Sequence, residues 1–156
     1  MVGKLAREIR QNKPFANIEE EAILNIARTA EIFAQISAEF LKDFGPSPTQ
    51  YNVLRILRGA GQDGLTCSQL SERMITHDPD ITRLLDRMET RGWVVRARGN
   101  DDRRVVLTHI SKLGLQLTNE IDQPLRAMVK KTLGKIGKGE LSSLIDILEK
   151  IREVYK

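Results

Sequence analysis

The amino-acid sequence predicts a mainly α fold with a small β-hairpin. Three observations carry that expectation. Apolar residues recur at helical spacing over most of the 156 residues. Three short segments open with helix N-cap signals. The apolar period falls from 3.6 to 2 in one place, after Gly92.

Residues 15–44 place Ile18, Ala22, Ile26, Ala30, Phe33, Ile36, Phe40 and Phe44 on one stripe, which predicts a long first helix ending near Gly45-Pro46. In "SPTQ", Ser47 is the expected N-cap, Pro48 takes the first helical position and Gln50 completes a capping box. That helix runs through Tyr51, Val53, Leu54, Ile56 and Leu57 to Gly59. "TCSQ" repeats the pattern with Thr66 and Gln69, opening a short helix that ends near Met74. "DPD" is read as a third start, with Asp78 as N-cap and Pro79 at the first position. The helix it opens spans 78–91, carries Ile81, Leu84, Leu85 and Met88 on one stripe, and closes at Arg91-Gly92.

Beyond it, "WVVRAR" alternates, with Trp93, Val95 and Ala97 on one face and Arg96 and Arg98 on the other. "RVVLTHI" is β-branched, and "GNDD" between the two is a cluster of turn formers, so the pair reads as a β-hairpin. Helical spacing returns with Leu113, Leu117, Ile121, Leu125, Met128 and Val129. After a break at Gly137 to Gly139, a last helix carries Leu141, Leu144, Ile145, Leu148, Ile151 and Tyr155. No linker is long enough to divide the chain, so residues 1–156 are expected to form a single domain.

Aromatic residues make up 4% and charged residues 29%, a balance that favours helices over a β-sandwich. Cys67 is the one cysteine, which excludes an internal disulfide and fits a reducing compartment. There is no signal-like or membrane-length apolar run, so a soluble cytoplasmic protein with no membrane partner is expected. The formal net charge is +4, and its distribution says more than its size. Between Thr66 and Arg104 stand eight arginines, seven carboxylates and no lysine. Arginine's planar fork suits bidentate contact with phosphates and guanine edges. Catalysis is not expected: there is no Ser/His/Asp or Cys/His arrangement, no phosphate-cradling glycine loop and no dinucleotide fingerprint. A metal site and a cofactor are not expected either, because His77 and His109 are the only histidines and no Cys/His cluster accompanies them.

A capped short helix, a second helix and then a hairpin make a winged helix-turn-helix, about residues 47–110. Helix 78–91 would lie in the major groove of duplex DNA, and the hairpin, 96–106, would reach the adjoining minor groove. On "LTCSQLSERM", "DITRLLDRMETRGWVVR" and "DDRRVVLTHISKLG" the chain resembles the MarR (multiple antibiotic resistance regulator) family. The third segment matches that family's wing signature, here Asp102, Arg103, Arg104 and then Ser111 to Gly114. The resemblance implies a homodimeric transcriptional regulator, usually a repressor, reading a palindromic double-stranded DNA operator. It implies that the flanking segments, about 15–44 and 111–155, are dimerisation helices. It also implies control by a small phenolic or lipophilic effector, or by cysteine oxidation.

By the same resemblance Arg104 is the minor-groove arginine. Asp102 orients it, and Asp86 on the reading helix pairs with it. An arginine held by a carboxylate loses less rotamer freedom on docking into a narrow, negative groove. Arg103 is assigned to phosphate. The reading helix and its approach offer Thr76, His77, Asp80, Thr82, Arg83 and Arg87, with Arg83 the candidate for guanine and Thr82 for a thymine methyl or a phosphate. Asp80 either accepts from cytosine or compensates the helix dipole. Ser68 and Gln69, at the start of the preceding helix, are candidates for phosphate anchors. Trp93 is read as packing between wing and helices. Tyr51 and Arg28 are the candidates for an effector crevice. Cys67 sits at a helix N-terminus, which leaves a redox-sensing regulator as an alternative. A winged-helix protein-interaction module without DNA binding is the other.

Overall fold

A computed structural model of the chain describes residues 4–99 and 104–154. Among the described residues seven helices and two strands follow in order: α1 (Lys4–Glu8), α2 (Ile18–Lys42), α3 (Pro48–Ala60), α4 (Cys67–Arg73), α5 (Ile81–Thr90), β1 (Val94–Arg98), β2 (Val106–Ile110), α6 (Lys112–Leu133) and α7 (Lys138–Glu153). The mainly helical fold with one hairpin is therefore present. The short α1, with Leu5 and Ala6 buried, was not expected from the sequence.

The expected capping boxes form at two helices. Ser47 Oγ accepts from the Gln50 N–H while Gln50 Oε1 accepts from the Ser47 N–H, and Thr66 and Gln69 do the same for α4. The third start differs from expectation. α5 begins at Ile81, and its N-cap is Asp80, whose carboxylate accepts from the Arg83 N–H at 3.2 Å. Asp78 instead accepts from the Asp80 N–H at 2.9 Å, so its side chain closes a turn around Pro79 before the helix begins.

The end of α5 sets the wing. Gly92 has φ +72°. Its N–H donates to the Glu89 carbonyl at 2.8 Å, and the Trp93 N–H donates to the Met88 carbonyl at 3.0 Å. This is a Schellman stop, and it turns the chain straight into β1. β1 pairs antiparallel with β2 from Val94 opposite Ile110 to Arg98 opposite Val106. Leu65 adds two backbone bonds to Thr108, tying the loop between α3 and α4 to the side of β2 away from β1. The two faces of β1 differ in burial. Val94 is the buried residue of β1 and Arg96 is half-buried beside it, while Val95 and Ala97 are exposed.

Two apolar clusters form. Val53, Leu54, Leu57, Leu65, Leu70, Leu84, Leu85, Met88, Trp93 and Val94 make the core of the winged helix. Leu41, Tyr51 and Ile121 make a second cluster where α2, α3 and α6 meet, and Leu117 borders both. The outer helices are less covered: no residue of α7 is buried.

Candidate nucleic-acid interface

On α5 the residues Leu84, Leu85 and Met88 turn inward, which leaves Thr82, Arg83, Asp86 and Arg87 on the exposed side. This follows from the 3.6-residue period. Asp80, Arg83, Asp86 and Arg87 line one shallow depression. Arg83 Nε stands 3.1 Å from Asp80 Oδ2, and both side chains are well exposed, so the pair holds Arg83 over the first turn at little cost to release. Thr76 and His77 are exposed in the turn between α4 and α5. Ile75, also in that turn and 87% exposed, was not singled out from the sequence.

The structure occupies the side chains of the α4 candidates. Gln69 Oε1 serves the cap, and Ser68 Oγ donates to Glu72 at 3.2 Å. Backbone N–H groups of the first turn of α4 remain the groups aimed outward by the helix geometry. Cys67 is half-buried against the winged-helix core. Trp93 is 8% exposed and packs in that core, with the Arg91 guanidinium 4.9 Å from its ring centroid.

In the wing, Arg104 is exposed just ahead of β2. Asp102 and Arg103 lie outside the described residues. Asp86 was expected to pair with Arg104; among the described residues it pairs with Arg96, whose Nη2 approaches Asp86 Oδ1 to 2.6 Å. Arg96 also binds Glu89 through Nε at 2.9 Å and Nη2 at 2.6 Å, and the Arg96 backbone N–H donates to the same carboxylate at 3.0 Å. The Arg96 side chain holds the Glu89 carboxyl below its ordinary range, and Glu89 in turn raises the guanidinium's own pKa. Sequence reasoning missed this triad. Its signal was two carboxylates three apart on one helix face, followed after a tight turn by an arginine on a strand.

A second constellation joins α3 to α6. Arg58 grips Asp122 in two bonds, Nη1 to Oδ2 at 2.9 Å and Nη2 to Oδ1 at 3.1 Å, and adds Asn119 at 3.0 Å. Tyr51 is buried, and its hydroxyl reaches Asp122 at 3.4 Å. Burial, then the Asp122 carboxylate, pushes the Tyr51 phenol up, so it stays a donor. Bonding to Arg58 holds Asp122 down. Beside this cluster is a crevice of about 410 Å³ lined by Arg55, Arg58, Asp122, Leu125, Arg126, Val129 and Lys130. Of the two residues expected at an effector crevice, Tyr51 backs it through Asp122, whereas Arg28 is exposed on α2 and is not part of its lining.

Among the described residues no three His, Cys, Asp or Glu side chains come together to hold a metal ion. No described helix is long and apolar enough to cross a membrane.

The model of the MarR family matches residues 47–106, the segment that holds α3, α4, α5 and the start of the wing. A MarR transcription factor from Planctomyces limnophilus is 36% identical, with 86% of this chain and 98% of that one aligned and a TM-score of 0.66. An uncharacterized HTH-type transcriptional regulator of Bacillus subtilis, YkoM, is 27% identical over 141 residues, 87% of this chain and 90% of that one. The fold is also that of S. aureus MepR in its DNA complex, at 17% identity, with a TM-score of 0.74 over 85% of this chain and 95% of that one.

Proposed function

Because this chain belongs to the MarR family of transcriptional regulators, we propose that it works as a homodimeric repressor reading a palindromic operator. α5 lies in the major groove and the wing in the minor groove. The observation that carries this reading is the outward face of α5. Thr82, Arg83 and Arg87 stand free of the core on a helix whose other side is fully packed. Arg83 supplies a guanine contact, Arg104 enters the minor groove, and Thr76, His77, Ser68 and Arg103 meet the backbone. Asp80, as N-cap, holds the helix end and steers Arg83.

The extent of exposed surface supports a dimer. The single chain exposes 11913 Å², against about 8,000 Å² for a compact monomer of this size. An excess of that order needs a partner, and a second copy through α2, α6 and α7 would supply it.

The crevice between α3 and α6 supports control by a small effector. Leu125 and Val129 offer an apolar wall and four basic side chains offer charge, which suits a phenolic or lipophilic anion. It borders both the winged-helix segment and the long helix α6, so an occupant there bears on their relative pose.

Footprinting the chain on duplex DNA upstream of its own gene tests the proposal. Two half-sites centred about 10–10.5 base pairs apart, or a multiple, are expected. Affinity should fall steeply with salt, and Arg104→Ala should weaken it without changing the oligomeric state. Binding indifferent to both salt and sequence would instead favour a winged-helix interaction module.

A further inference from the structure

We propose that Arg96 is the positioning residue of the wing and also neutralises Asp86 on the reading face of α5; the second role rests on the DNA-reading assignment above, the first does not.

One carboxylate, Glu89, holds both the backbone N–H of Arg96 at 3.0 Å and its guanidinium at 2.6 and 2.9 Å. Main chain and side chain of β1 are thus fixed to α5 at a single point. β2 follows, because the hairpin pairs Arg96 with Thr108 and runs on to Arg98 opposite Val106. The last described rung, Gly99 N–H to the Val105 carbonyl at 2.8 Å, lies on the same lever. The clamp sits near its fulcrum, so a small rotation at Arg96 becomes a larger displacement of Arg104.

The same guanidinium reaches Asp86 at 2.6 Å. Asp86 shares the exposed depression with Arg83 and Arg87, so an uncompensated carboxylate there would repel the phosphates those arginines approach. The Arg96 side chain is itself only 25% exposed. It serves the interface from behind instead of touching the nucleic acid. Lysine would keep the charge that offsets Asp86 but not the clamp, because two different nitrogens of the fork are used.

Two measurements on the full chain separate the roles. Without DNA, Arg96→Gln should speed hydrogen exchange of the wing amides, 94–99 and 105–110, by about tenfold, the size a lost charge-assisted bond implies. Amides of α3 should exchange as in the unmodified chain, which shows that the fold is intact. Operator binding to the footprinted duplex should weaken by about tenfold or more. Adding Asp86→Asn to Arg96→Gln should recover part of that affinity while the wing stays loose. Arg96→Lys should also recover affinity without restoring slow exchange. Unchanged wing exchange in Arg96→Gln would overturn the positioning role. A loosened wing with no recovery from Asp86→Asn would overturn the neutralising role. If the unmodified chain binds no duplex, the DNA-reading assignment falls with the neutralising role, and the exchange measurement still decides the clamp.

Discussion

At Gly114 the backbone of α6 passes so close to the base of the wing that any Cβ would collide with the Trp93 carbonyl oxygen. Three bonds hold this approach. The Ser111 N–H donates to the Trp93 carbonyl at 3.0 Å, Ser111 Oγ donates to the Gly92 carbonyl at 2.6 Å, and the Gly114 N–H donates to Ser111 Oγ at 2.9 Å. The Ser-x-x-Gly pattern is therefore a bolt between the wing and α6. Gly114→Ala should destabilise the chain by about 2–3 kcal/mol, since the clash is with backbone and not with a movable side chain. Urea unfolding measures it; a loss within about 0.5 kcal/mol would mean the bolt is looser than drawn. Arg83 is a contrasting residue, because its side chain is 83% exposed and is held by Asp80 alone among the described residues. Arg83→Ala should leave stability nearly unchanged and cost about 1–3 kcal/mol of base discrimination at one position per half-site. Selection from a randomised duplex pool checks this, and an unaltered consensus would remove Arg83 from the set of base readers.

Among the elements, those built on local chemistry were legible in the sequence. Ser47 with Gln50, and Thr66 with Gln69, announce their helices because a capping box spans only four residues. Gly92 announces the end of α5 for the same reason. Where two readings of one signal competed, sequence alone chose less well. Asp78 and Asp80 are both good caps, and the choice fell to the turn around Pro79. The alternation in β1 was visible, but the inward face was decided by packing of Val94 into the winged-helix core and by the carboxylates waiting for Arg96. Partners distant in sequence were not legible at all: Arg58 and Asp122 stand 64 residues apart. That pair makes a prediction for α3 against α6. Asp122 has its pKa lowered in the fold, chiefly by the Arg58 bond, so it binds fewer protons folded than unfolded. Its contribution is fully present above the unfolded value, about 4, and is lost as pH falls through the lower folded value. The stability gap between the unmodified chain and Asp122→Asn should thus be constant from neutral pH down to about 5 and close as the pH falls through the lower folded value. A gap that widened on acidification would mean that Asp122 is not ion-paired in solution.

On the scale of the whole molecule, the division of labour lies between a well-packed reading head and sparsely covered arms. The head buries ten apolar residues in one cluster. The arms leave Ile23 on α2, Val129 on α6 and Leu144, Ile145, Ile147 and Ile151 on α7 exposed. A helix of 16 residues such as α7 is marginal in water by itself, so its order depends on what its apolar side meets. A second copy is the partner proposed above, and obligate homodimers cover about 2,000–5,000 Å² in total, a range that the excess surface of this chain can fill. The arrangement also explains why two reading heads would hold a fixed spacing: each is bolted to α6 through Ser111 and Gly114, and α6 belongs to the shared arms. Ile145→Glu should therefore act far from the nucleic acid. A charge on the face of α7 should shift the chain from dimer to monomer in sedimentation, lower its melting temperature and remove the dependence of that temperature on protein concentration. Operator affinity should fall with it, although no DNA-facing side chain has changed. If Ile145→Glu remains dimeric with full affinity, the arms are joined by some surface other than α7; if the unmodified chain sediments as a single copy at micromolar concentration, the dimer itself falls.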